Sequence, residues 1–109
     1  MIRRFIIGAV LASGLMGLSA TASAATVTSV YACSANTFNI TLSNGTILNV
    51  WLADPNIGMT GNFYDHLYAM SLELLASGRQ VGTYETVGQT TACGQTVTEI
   101  KGLTATSTP

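Results

Sequence analysis

Residues 37–52 constrain the fold more tightly than any other stretch. Phe38, Ile40 and Leu42 alternate with Asn39 and Thr41. After Ser43-Asn44-Gly45, Leu48, Val50 and Leu52 alternate with Asn49 and Trp51. A period of two marks a strand with one buried face. A two-residue Asn44-Gly45 turn would set Leu42 opposite Ile47 and Ile40 opposite Asn49, mixing polar and apolar side chains on one face. A three-residue loop sets Ile40 opposite Leu48 and Phe38 opposite Val50. A one-residue slip sends every side chain to the wrong face. The pattern therefore predicts a hairpin with a three-residue loop and Gly45 in the left-handed position. Its second face carries Thr37, Asn39, Thr41, Ile47, Asn49 and Trp51.

The remaining elements follow from weaker signals. Residues 26–32 are β-branched and partly alternating, a first strand. Residues 53–61 hold Asp54-Pro55-Asn56 and two glycines, a loop. Asn62 is a candidate N-cap for a helix over 63–77, with Asp65 complementing the dipole and Gly78 as the left-handed stop. Phe63, Leu67, Met70 and Leu74 form one apolar stripe on it; Tyr64, Tyr68, Leu72 and Leu75 form a second. A strand over 80–86, a polar loop over 87–92, a strand over 93–103 and a frayed, disordered tail over 104–109 complete the chain. The predicted fold is mainly β with one helix: an OB-fold-like five-stranded barrel, the helix lying between strands three and four. The alternative is a small α+β sheet with the helix on one face.

Residues 1–24 have the order of a secretory signal peptide. Arg3 and Arg4 precede an apolar run over 5–18, and Ala22-Ser23-Ala24 supplies small residues for cleavage. The run is about 14 residues, short of the roughly 20 that span a bilayer. A single OB-like domain over 25–103 then remains, in the periplasm or secreted from a bacterium, with no membrane insertion after cleavage. Cys33 and Cys93, two cysteines in an exported chain, are expected to form a disulfide. That bridge is worth roughly 4 kcal/mol on the chain-entropy model. From Ala25 onward, Arg79 and Lys101 stand against Asp54, Asp65, Glu73, Glu85 and Glu99, a net charge of −3. No clustered basic surface exists for a phosphate backbone, which excludes nucleic acid as a main partner.

Chemistry-bearing patterns are sparse. His66 is the sole histidine, and its neighbour Asp65 points about 100° away around the helix. It reads as part of a solvated face. Two cysteines and one histidine give no metal spacing, and no phosphate loop or paired-carboxylate signature occurs. Neither catalysis nor a cofactor nor a metal is expected. Trp51 is the informative residue. Beside Asn39, Thr41 and Asn49 it forms a candidate sugar-stacking platform with hydrogen-bonding neighbours, against the alternative that it packs in the barrel or against a subunit. The second helix stripe, Tyr64, Tyr68, Leu72 and Leu75, is a candidate subunit interface, against the alternative of core packing.

A resemblance adds to this reading. A tyrosine-bearing helix ends in Ser77-Gly78-Arg79, the strand Val81-Gly82-Thr83-Tyr84 comes next, and Cys93 and Gly102-Leu103 follow. This layout resembles the B subunits of bacterial AB toxins, the subtilase-cytotoxin type in particular. The resemblance implies an OB-fold, a ring pentamer and glycan binding. The expectation is a non-catalytic exported binding module, glycan-binding and oligomeric like a toxin B subunit. Its candidate partners are a second copy of itself, a glycan and an exported enzyme subunit. The alternative is a small structural or accessory periplasmic protein without a small-molecule ligand.

Overall fold

The computed structural model describes residues 20–22 and 25–106. The elements run β1 (Ala20–Ala22), β2 (Val27–Ser34), β3 (Thr37–Leu42), β4 (Ile47–Trp51), α1 (Gly61–Ser77), β5 (Val81–Ala92) and β6 (Gln95–Ala105). The protein is mainly β with one helix. Most of the expected leader, residues 1–24, and the last three residues of the expected tail lie outside the described residues.

The β3–β4 hairpin has the predicted register. Phe38 pairs with Val50, Ile40 with Leu48 and Asn39 with Asn49. The Leu42 N–H donates to the Thr46 carbonyl at 2.8 Å, closing a loop of three residues, and Gly45 takes φ +90°. Alternation thus sends Phe38, Ile40, Leu42, Leu48 and Val50 into the core, each 1% exposed or less.

Helix α1 lies over that face. Its cap is Thr60, not Asn62: the Thr60 hydroxyl accepts from the Phe63 N–H at 3.1 Å, and its extended backbone starts the helix two residues earlier than expected. Gly78 ends it in the left-handed conformation, its N–H donating to the Leu74 carbonyl. The stripe facing the sheet is Tyr64, Leu67, Ser71 and Leu74. Ser71 sits there because its hydroxyl donates to the Tyr68 carbonyl at 2.7 Å. Phe38 receives Tyr64 and Tyr68 edge-on, at ring centroid separations of 5.3 and 5.0 Å.

The C-terminal third differs from expectation. Residues 87–92 are not a loop: β5 runs unbroken to Ala92, and Ala92 pairs with Gln95 across a two-residue turn. Both turn residues have positive φ, Cys93 at 55° and Gly94 at 76°. That is the mirror-image turn whose twist matches antiparallel strands. The strands also extend past the expected boundary, for Thr104 and Ala105 belong to β6 and Thr106 donates to the Gln80 carbonyl.

The strand order is β1-β5-β6-β4-β3-β2. All neighbours are antiparallel except β4 and β6. The sheet does not close into the expected five-stranded barrel. The ladder begins at β1 and ends at β2; just before β2, Thr26 bridges Gln80 and the Ala25 carbonyl accepts from the Val81 N–H at 2.8 Å. From Val27 onward the chain leaves β5 and pairs with β3, which opens the sheet. No helix among the described residues is long and apolar enough to cross a membrane.

Candidate functional site

The β5–β6 turn determines what lies beside Trp51. Cys93 is bonded to Cys33 at the end of β2, sixty positions earlier in the chain, with Cα atoms 5.8 Å apart. The same turn is held from β3: the Asn39 Nδ2 donates to the Ala92 carbonyl and to the Gln95 Oε1, both at 3.2 Å. A covalent bond and a side-chain amide therefore fix the tip of this hairpin against the β2–β3–β4 end of the sheet.

Between that tip and β4 lies a groove of about 240 Å³. Thr37, Asn49 and Trp51 form one side, and Thr90, Thr91, Ala92 and Cys93 the other. Trp51 ends β4 on the same strand face as Asn49, opposite Thr37, and is 38% exposed. Thr90 and Thr91 are exposed as well.

The four residues singled out around the tryptophan have separate fates. Trp51 and Asn49 line the groove. Asn49 is only 1% exposed, and its Nδ2 donates to Thr37 Oγ1 at 2.8 Å and to Asn39 Oδ1 at 2.9 Å. Asn39, also 1% exposed, lies behind it and does not line the groove. Thr41 is half-buried further along β3, opposite Ile47, and its carbonyl accepts from the Thr28 hydroxyl. The face expected to be open is thus covered over its middle by the β5–β6 hairpin. Thr90 and Thr91 take the place of the asparagines as accessible polar groups. Residues 87–92 read as a loop because they are polar; the signal missed was the pair of adjacent β-branched threonines leading into Cys93-Gly94, a strand entering a tight turn.

The second helix stripe divides in a similar way. Tyr64 is core, 9% exposed, and burial raises its phenol pKa. Tyr68 is half-buried against Phe38. Leu72 and Leu75 remain exposed at 41% and 40%, and Phe63 at 43%. A stripe centred between the two expected ones packs on the sheet, which leaves apolar side chains on both of its flanks.

A second polar cluster was not anticipated. Asp54, in the loop after β4, and Glu99, on β6, are 5% and 6% exposed. Their carboxyl groups hydrogen-bond each other. Burial, then the bond to Asp54, push the Glu99 pKa up to about 7. The Asp54 carboxyl is held below its usual value by that bond and by the Asn56 N–H, which donates at 2.8 Å. Glu99 Oε2 is buried with no partner. Below neutrality Glu99 is therefore a protonated donor to an ionised Asp54, and the pair pins the loop to the sheet. No sequence cue links these two acids, since they lie 45 positions apart and only the fold unites them.

No group of three or more histidine, cysteine or acidic side chains that would hold a metal occurs among the described residues. His66 is exposed on α1. The groove thus offers an aromatic face and hydroxyl groups, without a nucleophile and base in contact. No family model, curated protein or solved structure matches the chain, so the groove's own geometry carries its functional reading.

Proposed function

We propose that the chain is an exported, non-catalytic binding module that takes a glycan in the Trp51 groove. One observation carries the reading: a 38% exposed tryptophan at the end of a strand faces a wall of threonines fixed by a disulfide. Aromatic faces stack on the C–H faces of sugars, and hydroxyl groups both donate and accept toward sugar hydroxyls. A wall held in advance lowers the ordering cost of binding.

The finer fold reading is an OB-type topology. The parallel β4–β6 pair and the passage of the chain from the Thr26–Gln80 bridge into pairing with β3 favour it. Leu72 and Leu75 are the proposed contacts of a homo-oligomer of the toxin B subunit kind, in which an exported enzyme subunit would be a further partner. The accessory-protein alternative is favoured by one observation, the engagement of the Asn39 and Asn49 amides inside the protein.

A glycan array probed with the exported protein and with Trp51→Ala tests the reading. Binding to at least one glycan, lost in the variant, supports it. An array with no bound glycan favours the accessory protein.

A further inference from the structure

The ligand class of the groove follows from what its walls lack; this inference rests on the glycan-binding reading. We infer that the Trp51 groove takes a single uncharged pyranose ring and rejects acidic sugars.

No ionisable side chain lines it, Cys93 being locked in its disulfide. A carboxylate, sulfate or phosphate on a sugar needs a cation or several free N–H donors to replace its hydration. The two basic side chains among the described residues are Arg79, just beyond the end of α1, and Lys101. Lys101 lines a different groove, with Glu85 and Phe63. The amide donors closest to Trp51 are also engaged: Asn49 Nδ2 on Thr37 and Asn39, and Asn39 Nδ2 on Ala92 and Gln95. What remains accessible is an indole face beside the exposed Thr90–Thr91 segment of β5, whose two hydroxyls alternate across the strand. Hydroxyls match neutral sugar hydroxyls in either direction, as donor or acceptor. The net negative charge of residues 25–109 adds long-range repulsion of anions.

Size sets the rest. Pockets for drug-sized ligands hold roughly 300–1,000 Å³. The groove measures about 240 Å³ and opens to solvent, so one ring seats against Trp51 and any further rings of a longer glycan extend outward. Specificity for a particular neutral sugar would then come from which ring hydroxyls meet the Thr90–Thr91 segment.

The test is a two-dimensional amide and indole NMR titration of the disulfide-bonded exported protein. The probes are methyl glycosides of glucose, galactose and mannose, with N-acetylneuraminic acid and glucuronic acid as the acidic arm. The expected result is a saturable shift of the Trp51 indole with at least one neutral glycoside at millimolar concentration. The acids should give none. Trp51→Ala and Thr90→Val should each weaken that binding at least tenfold while keeping dispersed spectra. A saturable shift of Trp51 by an acid and by no neutral glycoside overturns this inference but leaves the glycan-binding reading standing. No shift with any sugar overturns both.

Discussion

Asn49 Nδ2 donates to Asn39 Oδ1 at 2.9 Å across the β3–β4 pair, and both side chains are buried. Asn39 passes the connection on to Ala92 and Gln95 at the β5–β6 turn. A buried, satisfied amide relay therefore couples the central hairpin to the wall of the Trp51 groove.

Breaking this relay removes hydrogen bonds that tie the hairpins together. Asn39→Leu removes the acceptor that Asn49 Nδ2 has besides Thr37 and the side-chain donor to the Ala92 carbonyl, at about 0.5–1.5 kcal/mol for each hydrogen bond lost. The expected loss of a few kcal/mol appears as a lower urea midpoint with an unchanged slope. Asn39→Asp should do comparable harm, because it places a charge where the relay needs a donor.

The disulfide should matter to both stability and site. Reduction, or Cys33→Ser with Cys93→Ser, should cost about 2–5 kcal/mol. Thiol titration of the denatured exported protein should find no free cysteine. At equal temperature the reduced form should also show faster amide hydrogen exchange at Thr90, Thr91 and Ala92 than the oxidised form.

Glu99 gives the fold a pH signature. Its carboxyl is raised from 4.5 to about 7 in the folded protein. Its contribution to stability is fully present below 4.5 and is lost as the pH rises through 7. Asp54 acts oppositely, since its lowered value stabilises the fold above 3.8 and that gain is lost in acid. Stability should therefore peak in mildly acidic solution and decline toward pH 8. Glu99→Gln, which keeps a donor toward Asp54, should abolish the alkaline decline; thermal midpoints at pH 5.5 and pH 8 measure it.

The flanks of α1 separate core from surface. Leu74→Ala, at a fully buried position, should cost about 2–5 kcal/mol. Leu72→Glu lies at a 41% exposed site and should leave the thermal midpoint within a few degrees. Light scattering then reports on association: an oligomeric wild type that Leu72→Glu turns monomeric supports contact through this flank. A monomer at high micromolar concentration removes the oligomer from the account.

Legibility in the sequence followed the range of the interactions. The β3–β4 hairpin was readable because its register depends on local alternation and on one three-residue loop. The helix was readable in extent, but its buried stripe was misplaced: Tyr64 and Ser71 face the sheet, while Phe63 does not. Apolar residues surround so much of α1 that periodicity alone could not choose the angle, and Phe38 chose it by receiving Tyr64 and Tyr68. Trp51 and Cys93 were both conspicuous as residues, yet their proximity depends on β5 continuing through residues 87–92, a stretch whose polarity conceals a strand. The Asp54–Glu99 pair had no local signature at all.

Trp51 is the sole tryptophan in the chain, so its fluorescence reports on the groove without interference from other indoles. The most direct measurement is its emission during titration with the neutral glycan that the exported protein binds on an array. The account predicts a saturable change in intensity or wavelength, with a midpoint equal to the dissociation constant found by calorimetry. Calorimetric binding with no change in Trp51 emission, undiminished in Trp51→Phe and Trp51→Ala, would place the ligand elsewhere and contradict it.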